Sequence, residues 1–61
     1  MRVSNGFVVA PNAVSIAVYD LAGRLLAAAN ASSLKLPEAA GVVLIKATDA
    51  AGAVSTLKTA I

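Results

Sequence analysis

The side chains that could do chemistry are few. Five serines, Ser4, Ser15, Ser32, Ser33 and Ser55, offer hydroxyl nucleophiles, but a hydroxyl needs a base beside it and the chain has no histidine. A Ser–Lys pairing with Lys35, Lys46 or Lys58 is the one nucleophilic arrangement left, and no motif supports it. The carboxylates are Asp20, Glu38 and Asp49. Hydrolysis by paired carboxylates requires two of them to face each other across a cleft, which a 61-residue domain rarely has. Without cysteine or histidine there is no zinc ligand set, and a calcium loop needs several oxygen ligands where each candidate turn has one carboxylate. Gly6, Gly23, Gly41 and Gly52 stand singly at turns, unlike a phosphate loop. The expectation is a non-catalytic module without metal or cofactor.

Charge and hydropathy narrow the partners. Five basic and three acidic residues give a net charge of +2, too weak and too scattered to imply nucleic acid. Arg24, Lys35, Lys46 and Lys58 have no interleaved aromatics on which bases could stack, so they read as solvated strand faces. The longest uncharged stretch, Val3 to Tyr19, is broken by Asn5, Gly6, Pro11 and Asn12 and does not read as a membrane span. The apolar run after Arg2 is cut at Pro11, too early for the apolar core of a signal peptide.

A chain of 61 residues holds one small core at most, and a crude balance of burial against entropy lies near zero at this size. No cysteine is present to staple it. The chain is 59% hydrophobic, but largely through alanine and valine, and Phe7 and Tyr19 are the only aromatics. The core is therefore expected to be aliphatic and thin.

Alternation supplies the elements. Val14, Ile16 and Val18 fall on one face of a strand that ends at Asp20, and Tyr19 points to the other. Gly41 to Thr48 is a second strand, with Val43, Ile45 and Ala47 opposite Val42, Leu44, Lys46 and Thr48; its first half is apolar on both faces and reads as covered on both. Val54 to Ile61 alternates again, and its apolar end reads as a buried terminal strand. Phe7 to Ala10 is a shorter run that stops at Pro11, which implies a sheet edge or a strand end. Ser32 to Leu36 alternates briefly, and Pro37 to Gly41 reads as a loop.

The punctuation repeats. Asp20-Leu21-Ala22-Gly23 and Asp49-Ala50-Ala51-Gly52 share an Asp-x-x-Gly frame, each between two strand-like runs. The carboxylate can accept hydrogen bonds from the N–H groups ahead of it, and glycine supplies the positive φ of a type I turn with a G1 bulge. Two hairpins follow, 14–20 with 23–29 and 42–49 with 52–60. Helix propensity competes over Leu25 to Ala31, but the immediate return set by the turn and the break at Asn30 favour a strand. Short strands at this spacing indicate an all-β sandwich or meander. Tyr19 has two readings, as a contact surface or as one half of a cross-strand pair with an aliphatic neighbour.

The run Val18-Tyr19-Asp20-Leu21-Ala22-Gly23-Arg24-Leu25-Leu26, followed by Leu36-Pro37 and Gly41-Val42-Val43-Leu44-Ile45-Lys46, resembles the C-terminal sorting domain of type IX secretion cargo. The likeness covers Val14 to Ile61. By position, Tyr19, Asp20, Gly23 and Arg24 correspond to the family's turn motif, Gly41 to the start of the next strand and Lys58 to the terminal strand. Three features differ: Val43 stands where an aromatic is usual, the last strand has one lysine rather than a basic pair, and the segment before Val14 is short.

The resemblance implies a small immunoglobulin-like β-sandwich of antiparallel hairpins, forming the C-terminal fragment of a longer secreted protein. It implies export through the periplasm to the cell surface of a Gram-negative bacterium. The partners it implies are the secretion machinery, a sortase-like surface peptidase and the parent-protein domain. The alternative is a structural or adhesive β-sandwich accessory domain, whose open strand edges would also permit self-association.

Overall fold

The computed structural model describes residues 1–36 and 41–60. Among them are seven strands and no helix: β1 (Arg2–Ser4), β2 (Phe7–Val9), β3 (Ala13–Asp20), β4 (Leu25–Ala29), β5 (Ser33–Lys35), β6 (Val42–Asp49) and β7 (Val54–Ala60). They form two antiparallel sheets, one of order β1-β2-β5 and one of order β4-β3-β6-β7, packed face to face as a sandwich. The all-β expectation is met, including the strand at Leu25–Ala29 where helix propensity competed.

Local chemistry explains the hairpins. In the β3–β4 turn, Asp20 Oδ1 accepts from the N–H groups of Ala22 (2.9 Å) and Arg24 (2.8 Å), while Gly23 N–H donates to the Asp20 carbonyl at 3.0 Å. The β6–β7 turn repeats this, with Asp49 Oδ1 accepting from Ala51 and Ala53, both at 2.9 Å, and Gly52 N–H donating to the Asp49 carbonyl. Gly23 and Gly52 have φ of +86° and +87°, the left-handed conformation that a side chain would oppose. A third hairpin joins β1 to β2 through Asn5-Gly6, with φ of +53° and +78°, the two positive angles of a type I′ turn. Pro11 lies within a turn closed by Ala13 N–H on the Ala10 carbonyl (2.8 Å), which carries the chain from one sheet to the other.

The core is aliphatic, as the composition implies. Val8, Ala10, Ile16, Val18, Leu36, Val43, Ile45 and Ala47 are buried, with Val3, Ala13, Ala27, Leu34 and Leu57 packed against them. Alternation delivers Val8 from the smaller sheet and Ile16, Val18, Val43, Ile45 and Ala47 from the larger.

Three expectations are corrected. Val14 is 50% exposed, because the β3–β6 register shifts between Ala13 and Ser15 and the bulge turns Ala13 to the core instead. The Val42–Leu44 face of β6 is not covered: Val42 is exposed and Leu44 half-buried, since no second layer lies over the outer side of this sheet among the described residues. β7 is an edge strand, with only Leu57 and Thr59 partly buried, rather than a buried terminal one; Ile61 lies outside the described residues. Of the two readings of Pro11, the strand end is met: β2 stops just before it and is the central strand of its sheet. The segment before β3, which reads as short, holds both β1 and β2. The loop expected at Pro37 to Ala40 lies outside the described residues.

Candidate recognition surface

The outer face of the four-stranded sheet gathers the residues singled out by the turn motif. Register places Tyr19 opposite Leu25 on one side and opposite Leu44 on the other, and Leu44 opposite Lys58. One cross-strand row thus reads Leu25, Tyr19, Leu44, Lys58. In the next row, Ala17 lies between Ala28 and Lys46, and Lys46 faces Thr56. The Lys46 Nζ reaches back over the Tyr19 ring, 6.0 Å from its centroid, the outer limit of a cation–π contact. Tyr19 has aliphatic neighbours on both sides, so the cross-strand pairing that is one of its two readings is present, on a half-exposed surface.

The remaining motif residues collect at the same end of the sheet. Asp20 pairs with Val43 and Val42 with Ala60, which brings the β3–β4 turn, the start of β6 and the end of β7 together. Asp20 and Gly23 build that turn, and Gly41 (φ +71°) leads into β6. Arg24 Nε lies 3.8 Å from Asp20 Oδ2 with its side chain 81% exposed, a surface pair that contributes about 0–1 kcal/mol. Exposed Leu21, Leu25 and Val42 surround this end, next to Lys58. The chemistry on offer is apolar contact bordered by cations. The second Asp-x-x-Gly turn sits at the opposite end, where Ala13 pairs with Asp49.

The groups considered for catalysis are not assembled in the described residues. Asp20 and Asp49 occupy opposite ends of one sheet, each with Oδ1 committed to its turn, and Glu38 lies outside the described residues. Ser4, Ser15, Ser33 and Ser55 lie opposite Phe7, Thr48, Val9 and Ala47, so none faces a lysine across a strand pair. A cleft of about 200 Å³ between Met1, Pro11, Asn12, Asp49, Ala53 and Ser55 is lined by one carboxylate and one hydroxyl, with neither histidine nor lysine among its lining residues. Among the described residues no group of three potential metal ligands occurs, and no helix is long and apolar enough to cross a membrane.

Lys35 lies on the smaller sheet opposite Phe7, away from Lys46 and Lys58, so the basic residues do not share one face. Sequence reasoning passed over Leu44 and Leu25 as parts of this surface. Alternation had already put Leu44 on the face of Lys46; the missing information was which residues of β3 and β7 lie beside it. The chain matches no protein-family model, no curated protein and no solved structure.

Proposed function

We propose that the chain is a non-catalytic sorting module that directs a parent protein through type IX secretion to the cell surface. The observation that carries this reading is convergence. Tyr19, Asp20, Gly23, Arg24, Gly41 and Lys58, spread along the sequence, meet at one end of the β4-β3-β6-β7 sheet. A receptor can read such a cluster as one surface, with Tyr19, Leu44 and the exposed leucines as apolar anchors and Lys46 and Lys58 as charged borders.

An immunoglobulin-like connectivity belongs to the same proposal. It is supported by sheets of order 1-2-5 and 4-3-6-7, in which β2–β3, β4–β5 and β5–β6 pass from one sheet to the other. The partners would be secretion machinery in the periplasm and a sortase-like peptidase at the surface.

The test is a fusion of this segment to a reporter in a type IX-competent cell. The expected result is surface display of the fusion, reduced at least tenfold when the segment is removed or when Tyr19→Ala and Lys58→Ala are combined, a loss of about 1.4 kcal/mol or more in recognition. Equal display of intact and truncated fusions would sink the proposal.

A structural or adhesive accessory domain is the second reading, favoured by exposed Leu21, Leu25 and Val42, which could pack against a neighbouring domain. A parent reading frame that runs well past Ile61 supports this reading against the first.

A further inference from the structure

The edges of the two sheets are not alike. β1 and β5, which flank the smaller sheet, have three residues each, and β4 has five with a register shift beside it. Short strands and bulges are devices that blunt an edge. β7 has seven residues, an unbroken register against β6, no proline, and only Ser55, Leu57 and Thr59 on its inner face. Among the described residues no strand pairs with its far side.

The hydrogen-bond phase of that free side can be worked out. Asp49 N–H donates to the Ala53 carbonyl at 3.0 Å, so this pair is of the bonded kind. Alternation then makes Ala47/Ser55, Ile45/Leu57 and Val43/Thr59 the bonded pairs between β6 and β7. The N–H and C=O groups of Val54, Thr56, Lys58 and Ala60 therefore point away from β6, toward the open edge.

We infer that β7 pairs antiparallel with β7 of a second copy of this chain, about a twofold axis at Leu57. In that register Val54 faces the second copy's Ala60 and Thr56 faces its Lys58, so every outward donor meets an acceptor. Leu57 meets its own counterpart beside the core, and Ser55 meets Thr59, a pairing of hydroxyls suited to cross-strand contact. The charges select this arrangement. Lys58 lies opposite a threonine, with the two lysines diagonally apart, whereas a parallel in-register copy would set them face to face. Such a contact is isologous and closes on itself, giving a dimer and not a fibre. A seven-residue ladder buries much less than the roughly 1,200–2,000 Å² of a standard interface, so the dimer is weak, with Kd on the order of 100 µM.

Sedimentation velocity on the full chain, from about 5 µM to about 500 µM, spans that range. A reversible monomer–dimer equilibrium is expected, with a Tm that rises with concentration. Thr56→Pro removes a donor that has no partner within the fold, so it should keep the strand circular dichroism and stay monomeric throughout. Leu57→Cys, in a chain without cysteine, should oxidise to a disulfide dimer, because facing Cα atoms of a non-bonded pair lie about 4.5 Å apart. Thr59→Cys faces the second copy's Ser55 and should not cross-link. A wild-type chain that stays monomeric at the highest concentration overturns the inference. So does undiminished association of a folded Thr56→Pro variant, or cross-linking of Thr59→Cys as efficient as that of Leu57→Cys. If Thr56→Pro fails to fold, the two cysteine variants decide alone.

Discussion

Ile45→Ala should leave a large fraction of the molecules unfolded at physiological temperature. Ile45 is fully buried near the middle of β6, between Val18 on β3 and Leu57 on β7. Truncating a buried isoleucine costs about 2–5 kcal/mol, through lost transfer free energy and the cavity left behind. A core of this size rarely supplies more than about 3–5 kcal/mol, and no disulfide supplements it. The single substitution is thus comparable to the whole stability. Val14→Ala is the matched control: half exposed on the bulge, it should change stability by no more than about 0.5 kcal/mol. Urea denaturation followed by circular dichroism measures both. If the two variants lose similar amounts, the bulge is misplaced and Val14 belongs to the core after all.

That comparison marks where the sequence could be read and where it could not. Ile16, Val18, Val43, Ile45 and Ala47 were legible because period-2 alternation is local and their faces needed no knowledge of partners. Val14 obeys the same alternation and still faces solvent, because a bulge inserts one residue and reverses the face of all that precede it. Asn5-Gly6 is among the strongest hairpin signals a sequence can carry, so β1 was legible in principle. With only three residues on either side, the alternation is too short to define a strand by itself. The edge position of β7 and the central one of β2 were not legible. Which strand neighbours which depends on long-range pairing, and Phe7-Val8-Val9 looks the same whether one or both of its sides are bonded.

The surface shows the same division. Tyr19, Asp20 and Gly23 were found because a turn is a local object with its own hydrogen-bond demands. Lys58 was marked only by resemblance, and its place beside Leu44 in the row of Tyr19 follows from two strand registers that no periodicity encodes. The exposure of Leu25 and Val42 also depends on that outer face having no second layer among the described residues, and that of Leu21 on its place in the β3–β4 turn. Composition alone would have assigned these side chains to the core.

The two Asp-x-x-Gly turns make the second large prediction, because one chain holds the recognition candidate and its own structural control. In each turn, one carboxylate oxygen accepts from two backbone N–H groups at 2.8–2.9 Å. Asp20→Ala and Asp49→Ala should therefore destabilise the domain alike, by about 1–2 kcal/mol, since water replaces these bonds only in part at an exposed turn. In a domain this small that lowers Tm by roughly 4–16 °C. The weak Arg24 ion pair adds little to the Asp20 side. Asparagine retains the accepting Oδ1, so Asp20→Asn and Asp49→Asn should keep most of the stability. Their effect on export then separates recognition from folding. On the sorting reading, Asp20→Asn loses surface display of a fused reporter and Asp49→Asn does not, because only the first turn lies at the end of the sheet where Tyr19, Gly41 and Lys58 meet. Equal display of the two asparagine variants, at equal stability, would reduce the first turn to the structural part that the second one plays.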